Sequence, residues 1–562
     1  MTDYLKLFKA MSALNDTWVE PHMVPAVPTF PYKEMYIEQR MLYDEMIGQR
    51  EVALCSHTGF GKTPLYLALV RDQPSLIISP RKFLQKQVAK YANDFILFGR
   101  SEYPCQHASN ASISPCLRKI SCESTDYHST CPEASQTCLN RPCQIFRTTH
   151  QHKDTSIQSY KYPCNNCQYI RAQQDAIGTL KSGGTVICNF ANFWNLLKYA
   201  DMVVIDEADL FFREIAKPTR MEFSKPKDCP NDTIQQILTR EMNGLKAALE
   251  NSPPSQIYSI RNKIYNVSFL LGQHALCFKY QRKDRIFIEI SPDKTGILKD
   301  KLFEGKKLII VSATLGDLDV KKFESRIWQR RGIFYAPVGK MTSKELKAKP
   351  YLMNRAAEQI ETIASIAEAK FDTSQFVVHC GNIGTHATRL NDLLGPDRDA
   401  IRCVLCGEKV TDLDPEEQDV VCPKCGNRWH IGEDVCTMHE RGNLMQTIEK
   451  FTASTKRYLL VASAEYGADF GWCKVQFILK FPYPSLDDRM RTLEKSMGPV
   501  KFNRFYNNDT RSRFIQQAGR NVRGFGDFGV TIVMDSKAHE DFTRNKEKYP
   551  EWFREAYDVR PY

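Results

Sequence analysis

No stretch of this chain is apolar over anything near the ~20 residues that a bilayer-crossing helix needs. The opening Met1-Thr2-Asp3-Tyr4-Leu5-Lys6 also lacks the basic-then-apolar pattern of a secretory leader. Both absences point away from the membrane and toward an intracellular setting. There is no internal repeat and no long low-complexity tract, which removes solenoids and disordered linkers from consideration. Charge of one sign is in modest supply: 77 basic against 66 acidic side chains give +11, an excess that a solvated surface can explain and that leans only slightly toward a nucleic-acid partner. Apolar content, at 42%, is ordinary for a folded protein, and 562 residues are too many for one core. Cysteine is the residue in unusual supply, with 19 copies.

Two short stretches carry the chemistry. Ser56-His57-Thr58-Gly59-Phe60-Gly61-Lys62-Thr63 lies between a strand-like run, Glu51 to Cys55, and a helix-like run, Pro64 to Val70. A loop entering a helix N-terminus offers an anion its backbone N–H groups and the positive end of the helix dipole. Gly59 and Gly61 let the backbone wrap the β- and γ-phosphates, with Thr58 beside them; Lys62 adds a point charge and the Thr63 hydroxyl suits Mg²⁺. One element is missing: the first glycine of G-x-x-x-x-G-K-[ST] is replaced by Ser56. The second stretch, Val203-Val204-Ile205-Asp206-Glu207-Ala208-Asp209, sets carboxylates at the C-terminal end of an apolar strand, where open α/β sheets bind ligands. Asp206 is suited to holding Mg²⁺, and Glu207 to orienting and deprotonating an attacking water. A glycine-rich turn with a surface lysine, or an acidic N-cap, would account for either stretch alone but not for the pair.

From here the chain resembles the superfamily 2 helicases, whose remaining motifs follow in order. Gln39 stands where such enzymes place an adenine-contacting glutamine, and Ile77-Ile78-Ser79-Pro80-Arg81 through Gln87 where they touch the nucleic-acid backbone. Ser312-Ala313-Thr314 matches the segment coupling hydrolysis to strand movement, and Gly467-Ala468-Asp469 matches motif V. Gln516-Gln517-Ala518-Gly519-Arg520-Asn521-Val522-Arg523 matches Q-x-x-G-R-x-x-R, which implies that Gln516, Arg520 and Arg523 complete the ATP site from a second lobe. An arginine in that role is worth about 10³–10⁵ in rate.

The cysteines read as metal ligands rather than disulfides in an intracellular enzyme. Cys403-x-x-Cys406 and Cys422-x-x-Cys425 are separated by 15 residues, the spacing of a zinc ribbon, with Gly407 and Gly426 after each pair. A second group, Cys105, Cys116, Cys122, Cys131, Cys138, Cys143, Cys164 and Cys167, falls between the phosphate loop and the carboxylate strand. An insertion there resembles that of the XPD/DinG (Rad3-like) iron–sulfur helicases, as do Gly99 to Cys105, Cys167-Gln168-Tyr169-Ile170 and Asn189 to Trp194. The resemblance implies a [4Fe–4S] cluster on four thiolates, with Cys105, Cys116, Cys164 and Cys167 as the favoured set and Cys143 as a rival. Two zinc sites without iron are the alternative. Departures from the group are Asp209 in place of its usual histidine and a short insertion between Asp209 and Ser312, with long polar helices such as Asp232 to Leu249 as a small arch.

The expected architecture is α/β, with two RecA-like parallel-sheet lobes carrying a cysteine-rich insertion, a small helical insertion and a zinc-ribbon insertion. The expected boundaries are an arm at 1–27, mobile or docked on lobe one, then lobe one at 28–330 and lobe two at 331–562. Lobe one would contain the cysteine insertion (100–170) and the arch-like one (212–300), and lobe two the ribbon (400–432). Basic residues from Arg489 to Arg523, with Phe502, Phe505 and Tyr506 among them, suit a single-strand channel. The resemblance implies a monomeric, cytoplasmic or nucleoid-associated ATP-dependent DNA helicase, moving 5′→3′ on single-stranded and forked DNA in repair, recombination or replication. An RNA helicase, for which Asp-Glu-Ala-Asp is the favoured spelling, and a metal-dependent nucleic-acid scaffold with weak ATPase remain as alternatives.

Overall fold

The structure, a computed structural model, describes residues 4–16, 22–57, 59–70, 73–80, 82–89, 95–99, 102–103, 168–190, 192–215, 221–224, 232–251, 254–282, 285–291, 299–300, 302–314, 320–324, 330–381, 386–394, 419–421, 424, 428–430, 436–438, 444–462, 470–522 and 527–562. Two seven-stranded sheets dominate it. The first contains β1 (Glu51–Cys55), β2 (Ser75–Ile78), β3 (Phe95–Leu97), β4 (Thr185–Cys188), β5 (Met202–Asp206), β6 (Lys307–Ser312) and β7 (Lys322–Glu324). Their order is β7-β1-β6-β5-β2-β4-β3, every pairing parallel. The central strands are continuous apolar runs, as a sheet covered on both faces requires: Val203, Val204, Ile205, Ile309, Ile310 and Val311 are all essentially inaccessible. Register matters most at one edge. Ser312 aligns with Cys55, and Val311 with Asp206, so the phosphate loop, the carboxylate pair and Ser312 all emerge at one level.

The second sheet contains β8 (Arg330–Gly339), β9 (Phe376–His379), β10 (Cys436–Met438), β11 (Tyr458–Val461), β12 (Val475–Ile478), β13 (Phe528–Asp535) and β14 (Tyr557–Pro561). It runs β10-β11-β9-β12-β13-β8-β14, again wholly parallel. These are the two α/β lobes expected from the sequence.

Two placements differ from expectation. Helix Tyr4–Asp16 is neither a free arm nor a partner of the first lobe: Leu7 and Met11 are buried in the core of the second, with Phe334 and Met534. It seats closely because β8 carries Gly332, where an added Cβ would lie 2.4 Å from Leu14 Cδ1. The insertion between β5 and β6 is not purely helical. Helices Ile234–Asn251 and Pro254–Gly272 pack on each other beside an antiparallel three-stranded sheet, Met221–Ser224, Arg285–Ile290 and Cys277–Arg282, with the middle strand named second. Alternating aromatic and β-branched residues account for the strands: Phe278 and Tyr280 on one, Ile286 and Ile288 on the next. This sheet reaches the second lobe, where Phe278, Tyr280 and Phe287 form one buried cluster with Met490, Leu493 and Phe502.

In the ribbon region Asp419–Val421 pairs antiparallel with Arg428–His430. Cys403, Cys406, Cys422 and Cys425 lie outside the described residues, as do Cys105, Cys116, Cys164, Cys167 and the other cysteines of the first group. Six described cysteines, Cys55, Cys188, Cys277, Cys380, Cys436 and Cys473, are free thiols, and all but Cys277 are buried. No helix among the described residues is long and apolar enough to cross a membrane.

Candidate active site

The phosphate loop joins β1 to helix Lys62–Val70. Gly59 and Gly61 adopt φ of +89° and +81°, which side-chain-bearing residues rarely tolerate. Ser56 needs no such conformation, so a serine fits where the motif expects its first glycine. Gly61 is also held by a neighbour: an added Cβ would lie 2.4 Å from Gln39 Nε2. Gln39 is buried, its Nε2 donating to Phe60 O at 2.7 Å and its Oε1 accepting from Tyr36 N at 3.0 Å. One end of this amide braces the loop, and the other caps the start of its own helix, Ile37–Met46. Thr58 lies outside the described residues, and Thr63 is half-buried in the first turn of helix Lys62–Val70.

Lys62 Nζ donates to Ser56 O and His57 O, both at 2.9 Å, so the ammonium sits in the mouth of its own loop. Burial lowers its pKa, while the charges of Glu207 and Asp206 oppose the shift. Asp206 ends β5 and is buried. Burial, then the neighbouring Glu207, push its carboxyl up to about 7, against the pull of Lys62, the Glu207 N–H (3.1 Å) and the Ser79 hydroxyl (3.4 Å). Glu207 has φ +50°, one of two non-glycine residues in the left-handed region among those described. Such a backbone costs about 1–3 kcal/mol and persists where surrounding structure enforces it. Here it turns the chain between β5 and helix Ala208–Ile215, holding a second carboxylate beside the first.

The site continues across the cleft. Asp209 Oδ1 accepts from Ser312 Oγ at 2.8 Å, and Ser312 Oγ accepts from Thr314 N at 3.1 Å. Thr314 Oγ1 then accepts from Ser512 Oγ at 2.8 Å and from Gln516 Nε2 at 3.3 Å, both on helix Pro499–Ala518 of the second lobe. Gln516 Oε1 in turn accepts from Arg520 Nη2 at 3.1 Å. Arg520 is buried, and its charge acts on Lys62. One chain of hydrogen bonds thus links the carboxylate strand of one lobe to an arginine of the other. Arg523 and Asp469 lie outside the described residues.

The end of the Arg520 helix is fixed from below by a network that sequence reading missed. His379 Nε2 donates to Gln476 Oε1 at 3.1 Å, and Gln476 Nε2 donates to Gln517 O at 3.0 Å and Thr531 Oγ1 at 2.9 Å. Asn521 Nδ2 closes the network on Val530 O at 3.0 Å. Burial keeps His379 neutral, its pKa near 4, so the network carries no charge of its own. Polar residues within apolar strands were the available signal.

The expected basic channel is thinner than its sequence implied. Arg511 pairs with Asp541 through two bonds of 2.7 and 2.9 Å, Arg513 with Asp509 at 3.0 Å, and Arg489 with the buried Glu289 of the insertion. Phe502 is core, and Tyr506 stacks on Phe502 and Tyr483 while its hydroxyl donates to Pro484 O. Arg491, Lys495, Lys501 and Arg504 are exposed along two consecutive helices.

Residues 425–556 match the family model described as a helicase C-terminal domain. A solved structure described as an XPD helicase superposes with a TM-score of 0.53 at 14% identity, covering 91% of this chain and 98% of that chain. The fold is that of this XPD helicase structure. Two further similar structures are an apo XPD (11% identity, 90% and 98% covered, TM-score 0.48) and S. tokodaii Xpd4 (10% identity, 92% and 99% covered, TM-score 0.47). No curated protein matches the chain by sequence. Gln516 and Arg520 lie within the part matched by the helicase C-terminal domain, which supports an ATP-dependent helicase enzyme, and Lys62, Asp206 and Glu207 lie in the first lobe.

Proposed function

We propose that this helicase acts on DNA, translocating 5′→3′ along a single strand and opening forked duplexes in repair, recombination or replication. The observation that carries the enzymatic part is the cleft itself: Lys62, Asp206 and Glu207 on one wall, Arg520 on the other, joined through Thr314 and Gln516. The residues present fit a magnesium nucleotide. Two positive-φ glycines shape the cradle, and a buried carboxylate of raised pKa awaits a cation to stabilise its charge. Mg²⁺ held by Asp206 and Thr63 would neutralise phosphate charge. Lys62 leaves its two carbonyl partners for phosphate oxygens, Glu207 takes the proton of the attacking water, and Arg520 stabilises charge on the transferred phosphoryl group. Gln39 supports this from beneath, bracing the loop near the adenine end.

Coupling to movement follows from the same bonds. A change at the γ-phosphate alters Asp209, Ser312 and Thr314, and Thr314 is bonded directly to the second lobe. Nucleic acid would lie along the exposed strip Arg491, Lys495, Lys501 and Arg504. The cysteine group between 105 and 167 is proposed to hold a [4Fe–4S] cluster at the duplex junction, and the 403–425 group a structural Zn²⁺. The test is ATP hydrolysis with single-stranded DNA or RNA, and unwinding of forks with either polarity of tail, with Lys62→Ala as control. Stimulation by RNA alone would favour the RNA reading that Asp209 invites. Iron, sulfide and zinc counts after purification without oxygen test the metal assignments. Zinc without iron would remove the cluster.

A further inference from the structure

A second connection crosses the cleft, and it uses rings in place of hydrogen bonds. His57, in the phosphate loop, is buried, and its ring meets Phe60 edge-on at 5.8 Å and Trp552 edge-on at 6.4 Å. Trp552 belongs to helix Glu551–Ala556 of the second lobe. On Trp552 lies the guanidinium of Arg331, 4.7 Å from the ring centroid, at the start of β8. Arg331 Nη2 reaches Gly519 O at 3.5 Å and Val522 O at 3.4 Å, carbonyls that bracket Arg520 at the end of its helix. The path therefore runs from the loop beneath the phosphates to the backbone on both sides of the arginine that faces them.

Chemistry favours a role for the ring itself. Trp552 is 8% exposed and its indole N–H has no acceptor among the described residues, a cost that a phenylalanine would avoid. What indole offers in return is the strongest aromatic face for a cation. Arg331 is buried, and a guanidinium taken from water needs such a face together with helix-end carbonyls, which carry partial negative charge. The backbone N–H of Glu551, next to Trp552, also lies 3.5 Å from Glu324 Oε2 of the first lobe, so the helix carrying the ring touches the opposite lobe twice.

We propose that Trp552 and Arg331 are positioning residues for Arg520, and that His57 couples them to the state of the phosphate loop. When phosphate fills the loop, His57 shifts against the indole and Arg331 carries that shift to Gly519 and Val522. Arg520 is then aligned by its backbone as well as through Gln516. The inference rests on the ATPase reading given above.

The decisive comparison is Trp552→Leu, which fills space without a π face, against Trp552→Phe, which keeps one. Trp552→Leu should lower kcat for ATP about tenfold with KM within about twofold, whereas Trp552→Phe stays within about threefold of the parent in kcat. Arg331→Met should match the Leu variant, and the double variant should be no worse than either single one. Trp552→Leu at parental kcat, or Phe as impaired as Leu, overturns the proposal, and so do additive losses in the double variant. The parent protein supplies an independent readout. Magnesium ATPγS should change the part of the tryptophan emission that is absent in Trp552→Phe, and no change overturns the coupling. Lys62→Ala separates the two levels: if it hydrolyses ATP normally, the ATPase reading itself fails. A dead Lys62→Ala beside an unaffected Trp552→Leu sinks only the relay.

Discussion

The two lobes meet the same cleft with opposite means. The first contributes charge under strain: an ammonium in the loop mouth, a carboxyl pushed up to about 7, and Glu207 at φ +50°. The second contributes one cation on a neutral, hydrogen-bonded support, with His379, Gln476, Asn521 and Thr531 holding the end of its helix. The first lobe is therefore arranged to do chemistry on a phosphate, and the second to be positioned by it. Strain and electrostatic tension sit where a ligand can relieve them. Rigidity sits where a signal must arrive undamped.

Breaking the first side should have the largest effect. Lys62→Ala and Glu207→Gln are expected to lower ATP hydrolysis by about 10³ or more, with nucleotide binding kept in Glu207→Gln, as a filter-binding or fluorescent-nucleotide titration would show. Arg520→Ala should cost about 10³ in kcat with binding largely retained, since an arginine of this kind acts on the transition state. Equal losses of affinity and rate would make it a ground-state contact. Severing the link between the lobes is the next test. Thr314→Val should keep basal hydrolysis within about threefold while single-strand stimulation falls about tenfold, because only the crossing bonds to Ser512 and Gln516 are lost.

A stability prediction probes a further contact, between the insertion of the first lobe and the second lobe. Arg489→Ala leaves Glu289, 3% exposed, without its arginine and should cost about 3 kcal/mol in a denaturant titration. Double replacement by Arg489→Met and Glu289→Leu should recover most of that. The smallest effect is a pH dependence. A carboxyl whose folded pKa is raised binds more protons in the folded state than in the unfolded one between about pH 4 and 7. Asp206 therefore makes the metal-free protein less stable as pH rises through that window, and Asp206→Asn should flatten the slope. Mg²⁺ affinity should move the other way, strengthening from pH 6 to 8 as the proton leaves, which calorimetry at several pH values would reveal.

Much of this was legible in the chain. Continuous apolar runs ending in Asp206, Ser312 or the phosphate loop announce buried parallel strands with ligands at their C-terminal ends. The paired glycines predict the turn that Gly59 and Gly61 make. What escaped notice depends on partners remote in sequence. Arg511 and Arg489 look like free basic residues until Asp541 and Glu289 are placed beside them. Helix Tyr4–Asp16 advertises an apolar face, yet nothing local says that the face belongs to the second lobe. The strands around Phe278 and Phe287 were obscured by the long helices before them, whose period of 3.6 dominates that region. Trp552 sits in no motif, and only its neighbours give it a role.

The placement of that first helix has a consequence for biosynthesis. Leu7 and Met11 leave the ribosome early, but Phe334 and Met534, against which they pack, are made hundreds of residues later. At about 5–20 residues per second, the apolar face of the helix waits roughly half a minute or more before its site exists. During that interval the first lobe can close on its own sheet while the helix stays uncovered, a natural client for a holding chaperone. Pulse-labelled nascent chains should keep residues 4–16 open to protease until β13 has emerged, long after β1 to β6 have become resistant.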